Sequence, residues 1–296
     1  MSKSSYGLIT YRPISDSWTL VDGRWANITG SVENAPSPRI LGPMAYDSTD
    51  QQVVLFGGRL VNATTYVPVR ITNDTWTYAA GVWTNATVPV HPTAGSEEGL
   101  DPFYELVDDP ADGYLLYYDA LAHAPGASGA ATWTYHDGLW TNRTAEFAST
   151  PDLFSYGGFA FDSTVQMVVA VAVCASTAGF ACEHHWGVFA FAGGTWKDIT
   201  SSSTPPGREY SGFADDPTDG GVVMVGGCCW SDFSGLSLGW QDAWVYAHGS
   251  WAESNPWGGS APSWIQNDGT WAALSIAAGT GVAVAFVVRK PPPPSA

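Results

Sequence analysis

The residues most able to carry chemistry begin with four cysteines, Cys174, Cys182, Cys228 and Cys229, confined to one stretch of the chain. An even number so placed permits two disulfides in three connectivities. One pattern closes a short loop through Cys174–Cys182 and joins the vicinal pair Cys228–Cys229. The other pairs across repeats, as Cys174–Cys228 or Cys182–Cys229; strain in a vicinal bond keeps this option open. No pair of separated C-x-x-C motifs is present, so loop staples are expected rather than a zinc centre or redox use.

Between the cysteines lies Glu183-His184-His185-Trp186. Neighbouring side chains on a strand point to opposite faces, so His184 and His185 are not expected to grip one metal together. No metal and no cofactor is expected. Acids recur in pairs at Asp47/Asp50, Asp109/Asp112 and Asp216/Asp219. Turn capping explains them better than a calcium loop does. A pair of carboxylates for glycoside cleavage would have to come from connecting loops, where Glu183 and Asp101 are the catalytic candidates, with Glu97 and Glu98 nearby. There is no Gly-x-Ser-x-Gly elbow, phosphate loop or dinucleotide fingerprint. Five Asn-x-Thr acceptors are present, at Asn27, Asn62, Asn73, Asn85 and Asn142.

The elements that position these residues come from an internal repeat. A hairpin reads Asp16-Ser17-Trp18 to Trp25, then Asp74-Thr75-Trp76 to Trp83, Ala131-Thr132-Trp133 to Trp140, Gly187-Val188-Phe189 to Trp196, and Asp242-Ala243-Trp244 to Trp251. Aromatics alternate along each copy, and a glycine marks the turn before the final Trp. A second hairpin type lies between these copies, as in Tyr46-Asp47-Ser48-Thr49-Asp50 running to Gly57-Gly58, or Asp216-Pro217-Thr218-Asp219-Gly220 running to Gly226-Gly227. One hairpin of each type makes a four-stranded propeller blade. Asn27, Asn85 and Asn142 each sit two residues after the repeat Trp and Asn73 just before Asp74, so a repeat consensus accounts for four of the five acceptors.

These units resemble kelch-type repeats, with the double glycine followed by spaced aromatics, and most closely the Trp-rich kelch-like repeats of archaeal cell-surface proteins. The resemblance covers roughly residues 16–258. It departs at Ala120 and Val173, where the second glycine is missing, and at Phe189, which replaces Trp. It implies an all-β β-propeller of four-stranded antiparallel blades, and the count of five Trp hairpins makes it five-bladed. The blades would span about 37–89, 90–148, 149–203 and 204–258, with a last blade from 259–290 plus 1–30, closed by the N-terminal and C-terminal hairpins. Residues 291–296 form a Pro-rich tail. A copper radical centre like that of the kelch-type propeller oxidase has no matching motif here.

The closing hairpin would use Leu274-Ser275-Ile276, a turn at Ala278-Gly279-Thr280-Gly281, and Val282 to Val288. The competing reading of 271–288 is a membrane anchor, because the run is uncharged and followed by Arg289-Lys290.

Apolar residues make up 45% of the 296 and charged residues 13%, enough for a large core and unlike a disordered chain. The formal net charge of −17 repels phosphate backbones, so nucleic acid is not an expected partner. No apolar signal segment is visible at the start. Cysteines and Asn-x-Thr acceptors together point to an extracellular or cell-surface setting. The expected function is a non-catalytic binding or adhesion module for glycans or proteins, with Trp186, Trp230, Trp240, His184 and His185 on its loop face. A secreted glycan-active enzyme and a structural subunit of a cell-surface layer or filament are the alternatives.

Overall fold

The fold follows from alternating aromatics and tight turns, seen in a computed structural model. The structure describes residues 16–21, 24–61, 68–93, 104–119, 130–147, 151–175, 185–208, 211–217, 220–227 and 242–254. The described residues are all-β apart from one turn of 3-10 helix at Thr29–Ser31. The first two strands, β1 (Trp18–Val21) and β2 (Arg24–Asn27), form a two-stranded sheet.

Four four-stranded antiparallel sheets follow. The first contains β4 (Met44–Asp47), β5 (Gln52–Phe56), β8 (Thr75–Ala79) and β9 (Val82–Asn85). Beside it, β3 (Arg39–Ile40), β6 (Arg59–Val61) and β7 (Pro68–Ile71) make a three-stranded sheet. The second four-stranded sheet contains β10 (Tyr104–Asp109), β11 (Tyr114–Asp119), β12 (Ala131–His136) and β13 (Leu139–Asn142). The third contains β14 (Asp152–Asp162), β15 (Met167–Ala175), β16 (His185–Ala192) and β17 (Thr195–Asp198). The fourth contains β18 (Gly212–Asp216), β19 (Gly221–Val225), β20 (Ala243–Ala247) and β21 (Ser250–Ser254). Strands run in sequence order across each sheet, and the first strands touch in turn, β4 with β10, β10 with β14, and β14 with β18. This is the arrangement of propeller blades.

One interface repeats between sheets. On the central strand of the first sheet, Val54 and Phe56 pack against Leu115, Tyr117, Tyr135 and Trp140 of the second. Leu116 and Tyr118 of the second pack against Val168, Ala170, Phe191 and Trp196 of the third. Val169 and Val171 of the third pack against Val222, Met224, Tyr246 and Trp251 of the fourth. Each time, two side chains spaced by two on a strand enter a wall of two aliphatic or aromatic residues plus two rings from the next sheet. Phe56 meets Trp140 edge-on with ring centroids 5.0 Å apart, a favoured aromatic geometry. The Trp140 indole N–H also donates to Thr75 Oγ1 at 2.9 Å, tying two sheets together.

Phe56→Ala would empty the centre of the first of these interfaces. It is expected to destabilise the fold by about 3–5 kcal/mol, whereas Val90→Ala on the surface should change stability by less than about 0.5 kcal/mol. Urea denaturation of the two variants checks this.

Candidate functional site

The two ends of the sheets differ. Among the described residues, one end carries tight turns, at 48–51, 80–81, 110–113, 137–138, 163–166, 193–194 and 248–249. The strands flanking each longer connector, 28–43, 57–74, 86–103, 120–130, 143–151, 176–184, 199–211 and 226–242, meet it at the other end. The turn end is built from buried acids. Asp47 Oδ1 accepts the N–H groups of Thr49 and Asp50 at 3.1 Å each, and Asp162 Oδ1 does the same for Thr164 and Val165. Asp109 Oδ1 accepts the Asp112 N–H. The pairs Asp47/Asp50 and Asp109/Asp112 are turn caps, as their sequence pattern predicts, while Asp219 of the third pair lies outside the described residues.

The loop end is braced by two copies of one polar cluster. Arg39 is buried, and its guanidinium donates to the Gly57 carbonyl at 2.8 Å and to Asp74 Oδ1 at 2.7 Å. Asp74 also receives the Trp76 indole N–H at 2.6 Å and the Thr72 hydroxyl at 2.8 Å. The fourth sheet repeats this with Arg208, Asp242, Trp244 and the Gly226 carbonyl. Burial opposes ionisation of both aspartates, but the arginine, indole and, at Asp74, hydroxyl donors overcome it and hold the carboxyls below the usual range. The second glycine of the pair has a steric reason. At Gly58, with φ of 97°, a Cβ would lie 2.9 Å from the Ile40 carbonyl.

These arginines were missed in the sequence, although each stands the same distance before its double glycine. In the second and third sheets, Ala131 and Gly187 replace the aspartate. Those are the two repeats that also depart from the double glycine, so brace and glycine pair come and go together.

The Asn-x-Thr positions also have a structural use. Asn27, Asn85 and Asn142 accept the N–H of Thr29, Thr87 and Thr144 through Oδ1 at 2.9, 3.0 and 2.9 Å. Each threonine hydroxyl in turn accepts the N–H of Ser17, Thr75 or Thr132 at the start of the hairpin. In the third sheet Asp198 and Thr200 make the same clasp, without an asparagine. Asn27, Asn85 and Asn142 are exposed, and the clasp uses only their carbonyl oxygen.

Glu105 is the second residue missed. It lies on β10 opposite Tyr118, where the other sheets have Pro43, Gly158 and Gly212. A lone charged side chain among small ones was the available signal. It keeps partial solvent contact, yet desolvation raises its carboxyl to about 7. Across the sheet, the Tyr118 hydroxyl donates to the Pro151 carbonyl at 2.6 Å and accepts the Leu153 N–H at 2.7 Å. Asp109, at the turn end, is also raised to about 7 by burial and then by the charge of Asp112.

Of the residues expected at the site, Trp186 is half-buried. Its indole N–H donates to the Pro205 carbonyl at 3.0 Å, and its ring lies over Gly207. Cys174 and His185 are cross-strand partners on β15 and β16. Asn73 precedes the Asp74 brace. Asp101, Cys182, Glu183, His184, Cys228, Cys229, Trp230, Trp240, Asn62, residues 271–288 and residues 291–296 lie outside the described residues. Among the described residues, no group of three or more His, Cys, Asp or Glu is placed to hold a metal. No helix among them is long and apolar enough to cross a membrane.

No protein-family profile and no curated protein matches the chain. Two solved structures of a polysaccharide lyase described as a PL25 ulvan lyase, one of them bound to -[GlcA(1-4)Rha3S]-, resemble it distantly. In each comparison the TM-score is 0.41 at 11% identity, covering 78% of this chain and 57% of the lyase. The chain thus spans little more than half the length of the lyase it resembles.

The shifted acids set a pH response. Glu105 and Asp109 ionise near their ordinary values when unfolded and near 7 when folded, so the folded state holds extra protons in between. Stability is therefore expected to fall as pH rises from about 4 to about 7. Asp74 and Asp242 act oppositely, since their contribution is lost as pH drops through their lowered values. The unfolding midpoint should be higher at pH 5 than at pH 7.5. Glu105→Gln with Asp109→Asn should flatten that difference. Arg39→Met should cost about 3–5 kcal/mol by stranding Asp74 in a half-buried site.

Proposed function

We propose that this chain is a non-catalytic β-propeller of the extracellular space or cell surface that binds a glycan or a protein on its loop face. In this reading the ring has five blades, the last shared by the N-terminal and C-terminal hairpins. The observation that carries it is the asymmetry of the two ends. All long connectors leave from one end, and the Arg39–Asp74–Trp76 and Arg208–Asp242–Trp244 braces fix the sheet ends beneath them. A rigid scaffold presenting many loops on one face is what a recognition surface needs. Trp230 and Trp240 on these connectors, with Trp186 near the start of β16, supply flat rings for stacking on sugars or filling a protein pocket, with His184 and His185 next to Trp186 in sequence.

The solvent-facing Asn27, Asn85 and Asn142 are compatible with carrying glycans, because the nitrogen that would be modified is not used by the clasp. Together with Asn62, Asn73 and the four cysteines, they support the extracytoplasmic setting. The pairing of Cys174, Cys182, Cys228 and Cys229 in loop staples belongs to the same reading.

One observation favours the alternative, a secreted glycan-active enzyme: Glu105 carries a carboxyl whose raised value suits proton transfer near neutral pH. A glycan array and a protein pull-down with the full chain separate the two readings. Binding without product release is expected, weakened at least about tenfold by Trp230→Ala or Trp240→Ala and unchanged by Glu105→Gln. Release of sugar products that stops with Glu105→Gln would replace the binding reading with the enzymatic one.

A further inference from the structure

Among the described residues, the first hairpin and the first four-stranded sheet each lack a neighbour. Strands β8, β12, β16 and β20 all pair inward with a central strand, β5, β11, β15 or β19. Their counterpart β1 pairs only with β2 among the described residues. A two-stranded hairpin alone is marginal in water. Its repeat Trp25 is 49% exposed, against 4% for Trp140, 2% for Trp196 and 5% for Trp251. Between β1 and the first sheet runs a groove of about 240 Å³, lined by Trp18, Val53, Leu55, Tyr78 and Trp83.

The last four of those residues are informative. Register places Val53, Leu55, Tyr78 and Trp83 where Leu115, Tyr117, Tyr135 and Trp140 stand in the second sheet. There, and in the third and fourth sheets, this wall receives two side chains from the preceding sheet. Those two side chains sit at fixed places. Each central strand is preceded by a residue with positive φ: Gln51 at 54°, Gly113 at 77°, Gln166 at 55° and Gly220 at 79°. The third and fifth residues after it are Val54 and Phe56, Leu116 and Tyr118, Val169 and Val171, and Val223 and Val225.

We infer that residues 282–288 of the same chain occupy this groove as the strand paired with β1, placing Val284 and Phe286 against Val53, Leu55, Tyr78 and Trp83. Gly281 takes the turn position, so Val284 and Phe286 are its third and fifth followers and repeat the Val54 and Phe56 pair in kind. Reach is sufficient. The described chain ends at Ser254 on the outer strand of the fourth sheet, and residues 255–271 are comparable in length to connector 86–103. Pairing on the open edge of β1 satisfies its backbone groups, and the two apolar side chains cover the groove. The inference rests on the five-bladed reading above and names the residues that close it.

The test uses the full chain with Phe286 replaced by the photoreactive analogue p-benzoylphenylalanine. Irradiation followed by mass spectrometry is expected to give a link within one chain to a peptide holding Val53–Leu55 or Tyr78–Trp83. A link to Val222–Met224 or Tyr246–Trp251 would keep a five-bladed ring and overturn this register. A link between two copies would show that a second molecule covers the groove and overturn the assignment. Adducts only with detergent or lipid would make the segment a membrane anchor and overturn both. As a second readout, Val284→Asp with Phe286→Asp should lower the unfolding midpoint and raise binding of an apolar dye. No change in either would contradict the seat. Glycan or protein binding, measured in the same sample, reports on the loop face separately.

Discussion

One contact holds the sheets in order: a pair of apolar side chains from one central strand, set into a wall of four from the next. It recurs three times, with Val54 and Phe56, Leu116 and Tyr118, and Val169 and Val171 as the inserted pairs. The residues vary, but the register does not. A one-residue slip of any central strand would turn its inserted pair to the opposite face, so the interface fixes register as well as stability. Trp140, Trp196 and Trp251 recur because each closes the outer end of such a wall. Buried rings so packed leave little room for relaxation, and a truncation at the centre is felt in full.

Polar groups then divide the two ends. Buried aspartates at the turn end satisfy backbone N–H groups and keep each hairpin tight. Burial raises Asp47 and Asp109, so this tightness carries an electrostatic cost that grows as they ionise. At the loop end, Arg39 and Arg208 offset that kind of cost by neutralising Asp74 and Asp242 directly. The braced sheets are the first and fourth, and the unbraced second and third have lost aspartate and glycine together.

Much of this was legible in the sequence. The hairpins beginning at Trp76, Trp133, Phe189 and Trp244 are strands in the register their alternation implies, and Asp47 and Asp109 cap their turns. Period-two alternation and turn residues are local signals, so one sequence suffices to read them. The Arg39–Asp74 and Arg208–Asp242 braces were not read, because their partners lie far apart along the chain and neither residue is unusual in isolation. Glu105 was hidden for a related reason. Its character comes from desolvation by neighbouring strands, which composition does not report. The Asn-x-Thr sites illustrate a third case. The pattern and its repeat phase are visible in the sequence, but the clasp between threonine and the hairpin start is a tertiary fact. Asp198 shows that the clasp does not need asparagine.

The central claim is that one sheet-to-sheet interface, repeated in fixed register, organises the whole molecule around an axis. A side-chain-resolution map of the full chain, by crystallography or electron cryomicroscopy, tests this most directly. The account requires five four-stranded sheets in a ring, with β1 and β2 in the outer half of the fifth and the same apolar wall at every junction. An open arc of four sheets, or a fifth junction packed through a different set of strand positions, would contradict it.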